Sequence, residues 1–103
     1  MKKNAKPLPL IIDCDPGQDD AIALMLAMAS PAELDLLGIC AVAGNVPLRL
    51  TEANARRVRD VAGRPEVAVF AGCPRPMVKI LETGEYVHGK SGIDGADLPE
   101  PSR

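Results

Sequence analysis

Leu8-Pro-Leu-Ile-Ile-Asp-Cys-Asp-Pro-Gly-Gln-Asp-Asp-Ala-Ile-Ala-Leu24 contains the decisive change of pattern in this chain. Leu8–Cys14 is a short apolar run ending in acids, which reads as a buried strand. Pro9 is tolerable near a strand start. Asp15-Pro16-Gly17-Gln18 is a turn signal. Asp19 and Asp20 then open a stretch rich in Ala, Leu and Met, predicted as a helix over Ala21–Ser30. Acids in a first turn suit the positive end of a helix, and Pro31 marks the stop. This helix is apolar nearly all round, so it is expected to be deeply packed.

Downstream the alternation repeats. Leu36–Ala43 reads as a second strand and Gly44-Asn45 as a turn. Pro47 starts a second helix over Leu48–Ala62, with Leu50, Ala53, Asn54, Val58 and Val61 on one face and Arg56 and Arg59 away from it. Gly63 is placed to cap its C-terminus. Glu66–Phe70 reads as a third strand, and Gly84–Pro101 as a loop without periodicity. Strand, helix, strand, helix, strand predicts an α/β fold, a Rossmann-like open parallel sheet with right-handed crossovers. If both crossovers step the same way, both helices cover one face of the sheet and leave the other bare.

Composition excludes several function classes. The 103 residues are 47% hydrophobic and 25% charged, which suits a globular domain and neither a disordered chain nor a coiled coil. Aromatic residues are 2%, too few for a stacking platform for single-stranded nucleic acid. Lys and Arg number 12 against 14 Asp and Glu, so no basic footprint for a phosphate backbone exists. No apolar run approaches the length of a membrane span. The lysines of the first six residues are followed by Pro7 and Pro9, unlike a signal peptide, so a cytoplasmic protein is expected. Cys14, Cys40 and Cys73 have no Cys-x-x-Cys spacing and are expected to be reduced and mostly buried.

Four carboxylates, Asp13, Asp15, Asp19 and Asp20, fall within eight residues at the C-terminal end of the first strand. Ligands of open α/β sheets bind at that edge. Like charges this close require an offset from a metal ion, a helix N-terminus or protonation. All-oxygen donors favour a hard cation, Ca²⁺ or Mg²⁺. An EF-hand counted from Asp13 fails, because Gly17 and Leu24 stand where it needs a ligand and a Glu. A phosphatase of the Asp-x-Asp type is disfavoured by Gly17, where that motif carries Thr or Val.

The stretch from Leu10 to Leu24 resembles the opening signature of the inosine/uridine-preferring nucleoside hydrolases, Asp-x-Asp-Pro-Gly-x-Asp-Asp after a strand. Ala41-Val-Ala-Gly-Asn45, Ala71-Gly-Cys-Pro-Arg-Pro76 and Val87-His-Gly-Lys-Ser-Gly-Ile-Asp-Gly95 are similar to further segments of that family in order and spacing. The resemblance runs from about Leu8 to Pro99 and covers the first third of the family's usual length. It implies one nucleoside hydrolase domain of which residues 1–103 are the N-terminal portion, with sheet and helices over about 8–72 and an active-site loop region over about 73–103.

The resemblance also implies an activity: Ca²⁺-dependent hydrolysis of the N-glycosidic bond of ribonucleosides to ribose and free base. It puts Asp15 at the position of a Ca²⁺ ligand that is also general base, and Asp20 at a second ligand. Asp19 and Asn45 take positions that contact ribose, Asp13 that of a supporting acid, and His88 that of a His on the nucleobase side. It implies a homo-oligomer acting on small nucleosides, without nucleic-acid or membrane partners. The family's remaining metal ligands and a further leaving-group His come from later in the chain, so the 103 residues alone are expected to be inactive. The competing expectation is a non-catalytic module with partial metal or ribose binding.

Overall fold

The computed structural model describes residues 6–95 and 98–102. Lys2 and Lys3, and part of the expected loop over Gly84–Pro101, lie outside the described residues. The elements run β1 (Leu8–Cys14), α1 (Gln18–Met28), β2 (Leu34–Ala41), α2 (Leu48–Val61), β3 (Val69–Ala71) and a single-turn α3 (Glu85–His88). The strands form one parallel sheet in the order β1-β2-β3. Both crossovers therefore step the same way, and α1 and α2 pack side by side on one face, where Ala21, Leu24, Met28, Ala55 and Val58 meet Leu36, Ile39 and Val69 in one core.

β1 alternates as a half-buried strand should. Leu10, Ile12 and Cys14 pack on the core, while Ile11 and Asp13 are exposed. β2 departs from strict alternation. Its register with β1 pairs Leu10 with Leu36 but Ile11 with Gly38, so Leu37 is the extra residue of a bulge. The slip lets Leu36 and Ile39, three apart, both reach the core. Gly38 then lies under the Phe70 ring, where a Cβ would come within 2.9 Å of Phe70 Cε2.

Several boundaries differ from the sequence reading for identifiable reasons. α1 starts three residues earlier, at Gln18, because the Gly17 carbonyl already accepts from the Ala21 N–H. It ends at Met28, short of Ser30, whose hydroxyl donates back to the Leu26 carbonyl just before Pro31. β3 is Val69–Ala71 rather than Glu66–Phe70, because a turn holds Val67 N–H on the Arg64 carbonyl. The loop after Gly84 contains the α3 turn. Gly63, at φ +74°, caps α2 in a Schellman arrangement, with Arg64 N–H on the Arg59 carbonyl and Gly63 N–H on that of Asp60.

The buried face of α2 is also rotated from the expected one. Thr51, Asn54, Ala55, Val58 and Arg59 are buried, whereas Val61 is exposed. Arg59, expected away from the buried face, is only 1% exposed. Its guanidinium donates to the Val67 carbonyl at 3.1 Å and to Asp60 at 3.3 Å, which compensates its burial. Of the three thiols, all free, Cys14 and Cys40 are half-buried, but Cys73 is exposed, contrary to expectation.

Candidate active site at the C-terminal edge of the sheet

Parallel pairing of Cys14 with Ala41 brings the ends of β1 and β2 to one edge. Beyond that pair the chain stays in register, with Val42 N–H donating to the Cys14 carbonyl at 2.9 Å. The turn after β1 and the turn after β2 then meet. Asn45 N–H donates to Asp15 Oδ2 at 2.9 Å, and Asn45 Nδ2 donates to the Asp15 carbonyl at 2.7 Å. These two bonds fix both the carboxylate and the backbone of Asp15. Gly44 makes the approach possible, since a Cβ there would overlap the Asp15 carboxylate.

The acids of the signature differ in exposure, Asp15 and Asp20 being half-buried and Asp13 and Asp19 exposed. Asp15 and Asp20 share one neighbourhood. The Asp20 carboxyl is pushed above the ordinary carboxylate range by partial burial, then by the charges of Asp19 and Asp15. Asp19 sits exposed in the first turn of α1. Asp13 is exposed on β1, one residue out of phase with the core-facing Ile12 and Cys14. Cys14 lies among these carboxylates. Burial first, and then Asp20, Asp15 and Asp13, push its thiol up to about 12, which leaves it a protonated, inert packing group.

His88 reaches the same edge from α3. Gly84 N–H donates to the Asn45 carbonyl at 2.7 Å, anchoring the loop, and His88 N–H caps back onto the Gly84 carbonyl. The imidazole lies over Gly17, where a Cβ would come within 2.6 Å of His88 Nδ1 and 2.8 Å of Asn45 Nδ2. The turn glycine is thus needed for clearance, at an ordinary negative φ of −106°.

Two residues with no assigned role in the sequence reading hold this arrangement. Gln18 links His88 Nδ1, at 2.5 Å from its Oε1, to the Asp94 carbonyl, at 3.0 Å from its Nε2. Asn54, fully buried on α2, donates to the Ser91 carbonyl at 2.7 Å and to the Pro16 carbonyl at 3.4 Å, and accepts from Arg57 at 3.2 Å. It joins the Asp-Pro-Gly turn to the loop that follows His88. A polar residue amid an apolar helical face was the available signal for Asn54. Gln18 gave none, because a Gln in a turn is ordinarily solvated.

Asp15 and Asp20 offer the hard oxygen donors that a divalent cation of the Ca²⁺ or Mg²⁺ type prefers, and their mutual repulsion would be relieved by one. They fit part of such a coordination shell. Among the described residues, no group of three or more His, Cys, Asp or Glu side chains is arranged to hold a metal ion. No helix among the described residues is long and apolar enough to cross a membrane.

A parallel sheet with a carboxylate and amide edge of this form is matched by a known family. Residues 10–103 match the family model described as inosine-uridine preferring nucleoside hydrolase, and the chain belongs to that family. It is 53% identical over 96 residues to the uncharacterized protein C1683.06c of Schizosaccharomyces pombe, covering 93% of this chain and 31% of that protein. It is 50% identical over 95 residues to the pyrimidine-specific ribonucleoside hydrolase RihA of Salmonella paratyphi B, covering 92% of this chain and 30% of the relative. Among solved structures, the purine-preferring ribonucleoside hydrolase from Gardnerella vaginalis superposes with a TM-score of 0.84 at 35% identity, over 93% of this chain and 31% of that one. The chain thus spans about a third of the length of the relatives it matches.

Proposed function

We propose that this chain supplies the carboxylate edge of a ribonucleoside hydrolase, which cleaves the N-glycosidic bond to ribose and a free nucleobase. The observation that carries the reading is the double hydrogen bond of Asn45 to Asp15, which fixes one half-buried carboxylate just beyond a strand end near Asp20. Family membership and relatives named ribonucleoside hydrolases support it. Those relatives are named for both pyrimidine and purine substrates, so the reading stops at ribonucleosides.

Cleavage develops positive charge at the anomeric carbon, and a cluster of carboxylates stabilises that charge. Asp15 is held in one orientation and acts as general base on the attacking water. Asp19, exposed in the first turn of α1, takes a ribose hydroxyl. Asn45 gives one Nδ2 proton to the Asp15 carbonyl, and its Oδ1 is the atom that accepts a ribose hydroxyl. His88 faces the leaving base, and Asp13 supports the cluster by its charge. Asp15 and Asp20 would hold a Ca²⁺ ion, with the other ligands coming from outside these 103 residues. A bound Ca²⁺ supplies orientation of hydroxyls and water and lowers the water's pKa. The reading places the enzyme in the cytoplasm as a homo-oligomer built from one domain, of which residues 1–103 are the N-terminal portion, with sheet and helices over about 8–72 and an active-site loop region over about 73–103.

A chimera tests this. In it, the chain replaces the matching third of the Salmonella relative. We expect ribose release from uridine, loss of at least about 100-fold on Asp15→Ala, and loss on chelation that Ca²⁺ restores. The 103 residues alone should release none. A folded chimera without ribose release, or one indifferent to Asp15→Ala, would leave the chain a non-catalytic binding module.

A further inference from the structure

We infer that Gln18 is a positioning residue that locks His88 in the Nδ1–H tautomer, leaving Nε2 as a hydrogen-bond and proton acceptor. Hydrogen-bond polarity along a chain of three groups fixes where the proton sits. The Asp94 backbone carbonyl can only accept, so the Gln18 atom 3.0 Å from it is the amide NH₂. The other end of the same amide, 2.5 Å from His88 Nδ1, is therefore the carbonyl oxygen, which also can only accept. The proton between them must sit on His88 Nδ1. A neutral imidazole carries one N–H, so Nε2 is then bare. A solvated histidine prefers the opposite tautomer, with the proton on Nε2.

The surroundings make this bridge hard to rearrange. Asp94 N–H donates to the His88 carbonyl at 3.1 Å, so the two backbones move together. The Asp94 side chain is itself engaged by Ser91 Oγ, at 2.5 Å from Oδ1. Gln18 is the first residue of α1, so its backbone is held by the helix. The ring cannot retreat toward the turn, because it already lies against Gly17. A flip that offered Nε2 to Gln18 would have to displace this packing.

The inference rests on the proposed function only for its consequence there. If His88 meets the nucleobase, it does so as an acceptor, and it can deliver a proton from Nε2 only after taking up a second one. The tautomer itself is independent of that reading. It is directly measurable, because His88 is the sole histidine of the chain. Long-range ¹H–¹⁵N correlation spectra of the 103-residue chain, recorded at alkaline pH, give which ring nitrogen is protonated.

We expect Nδ1–H to dominate by several-fold to about tenfold, the ratio one net hydrogen bond supplies. Gln18→Ala should return the ring to the Nε2–H form. Gln18→Glu should keep Nδ1–H, since a carboxylate still accepts from it, and this variant guards against a loss caused by unfolding. In the chimera, Gln18→Ala should lower kcat/KM and Gln18→Glu should restore part of it. Dominant Nε2–H in the parent chain would overturn the inference, as would a Gln18→Glu variant that reverts while keeping its amide spectrum. The expected tautomer together with an inactive chimera would instead overturn the proposed function and leave this inference standing.

Discussion

The two faces of the sheet are built from similar residues and meet opposite fates. On the helix-covered face Ile39 is fully buried among Leu24, Val58 and Val69. On the other, Ile11, Leu37 and Phe70 remain 65%, 54% and 56% exposed. The outer side of α1 repeats the pattern with Ile22 and Leu26, one turn apart and both exposed. A parallel sheet normally has both faces covered, and its strands are apolar on both sides for that reason. Hydrophobicity prescribes burial without supplying the cover. Here the two helices between the strands cover one face, in a chain that spans a third of its relatives' length.

The contrast is most easily broken at equivalent side chains. Ile39→Ala should cost about 2–5 kcal/mol, for lost transfer energy and a cavity. Ile11→Ala should stay within about 0.5 kcal/mol. Urea unfolding of both variants at low protein concentration checks this. Equal losses would mean that the bare face is covered in solution. Sedimentation of the parent chain and of an Ile11→Lys, Leu37→Lys double variant sharpens the point. Concentration-dependent association should weaken in the variant, because an exposed apolar patch of this kind drives it.

Asn54→Ala asks whether the helix layer also holds the site. Removing it orphans the Ser91 carbonyl and takes one partner from the Arg57 guanidinium, which keeps its pair with Glu100, a loss of about 1–3 kcal/mol. Amide exchange should quicken in residues 84–95 more than in β1. Gly63→Ala, at φ +74°, should cost about 1–2 kcal/mol and loosen only the end of α2.

The smallest effect is electrostatic. The Asp20 carboxyl titrates above its ordinary 3.8 in the fold, so the folded state holds its proton longer than the unfolded chain. The penalty of ionised Asp20 is absent below that ordinary value, grows as pH rises through the window up to the raised value, and is constant above it. Asp20→Asn should therefore be more stable than the parent at neutral pH by a small margin that disappears in acid. Unfolding midpoints at a series of pH values check it. A margin independent of pH would remove the carboxylate repulsion from the account. Saturating Ca²⁺ should narrow the neutral-pH margin by binding the parent's carboxylate pair.

Much of this was legible because local rules and tertiary demands agreed. Leu8–Cys14 is the strand the pattern predicts, and Asp15-Pro-Gly is the turn. Gly63 caps its helix because the turn there needs a positive φ, which glycine adopts freely. The order of elements, with right-handed crossovers, was enough to place Asp15 and Asn45 at one edge. What the sequence could not specify depended on distant partners. Arg59 is inside because a carbonyl eight residues away accepts its guanidinium. The bulge at Leu37 follows from fitting both Leu36 and Ile39 into one core, and periodicity cannot express such a slip.

The site divides along the same line. The residue types in Asp13–Asp20 determined by themselves that carboxylates would lie close around one strand end, because a tight turn separates Asp15 from Asp19 and Asp20 by only four and five residues. Only the tertiary structure decided which of them are held. Asn45, thirty residues from Asp15, fixes that carboxylate, while Asp13 points away from the core on its strand. Gln18 and His88 are seventy residues apart, and nothing local to either carries the bond between them. A hydrogen bond is satisfied by any partner of the right polarity, so its choice of partner is settled by where the fold puts the backbone.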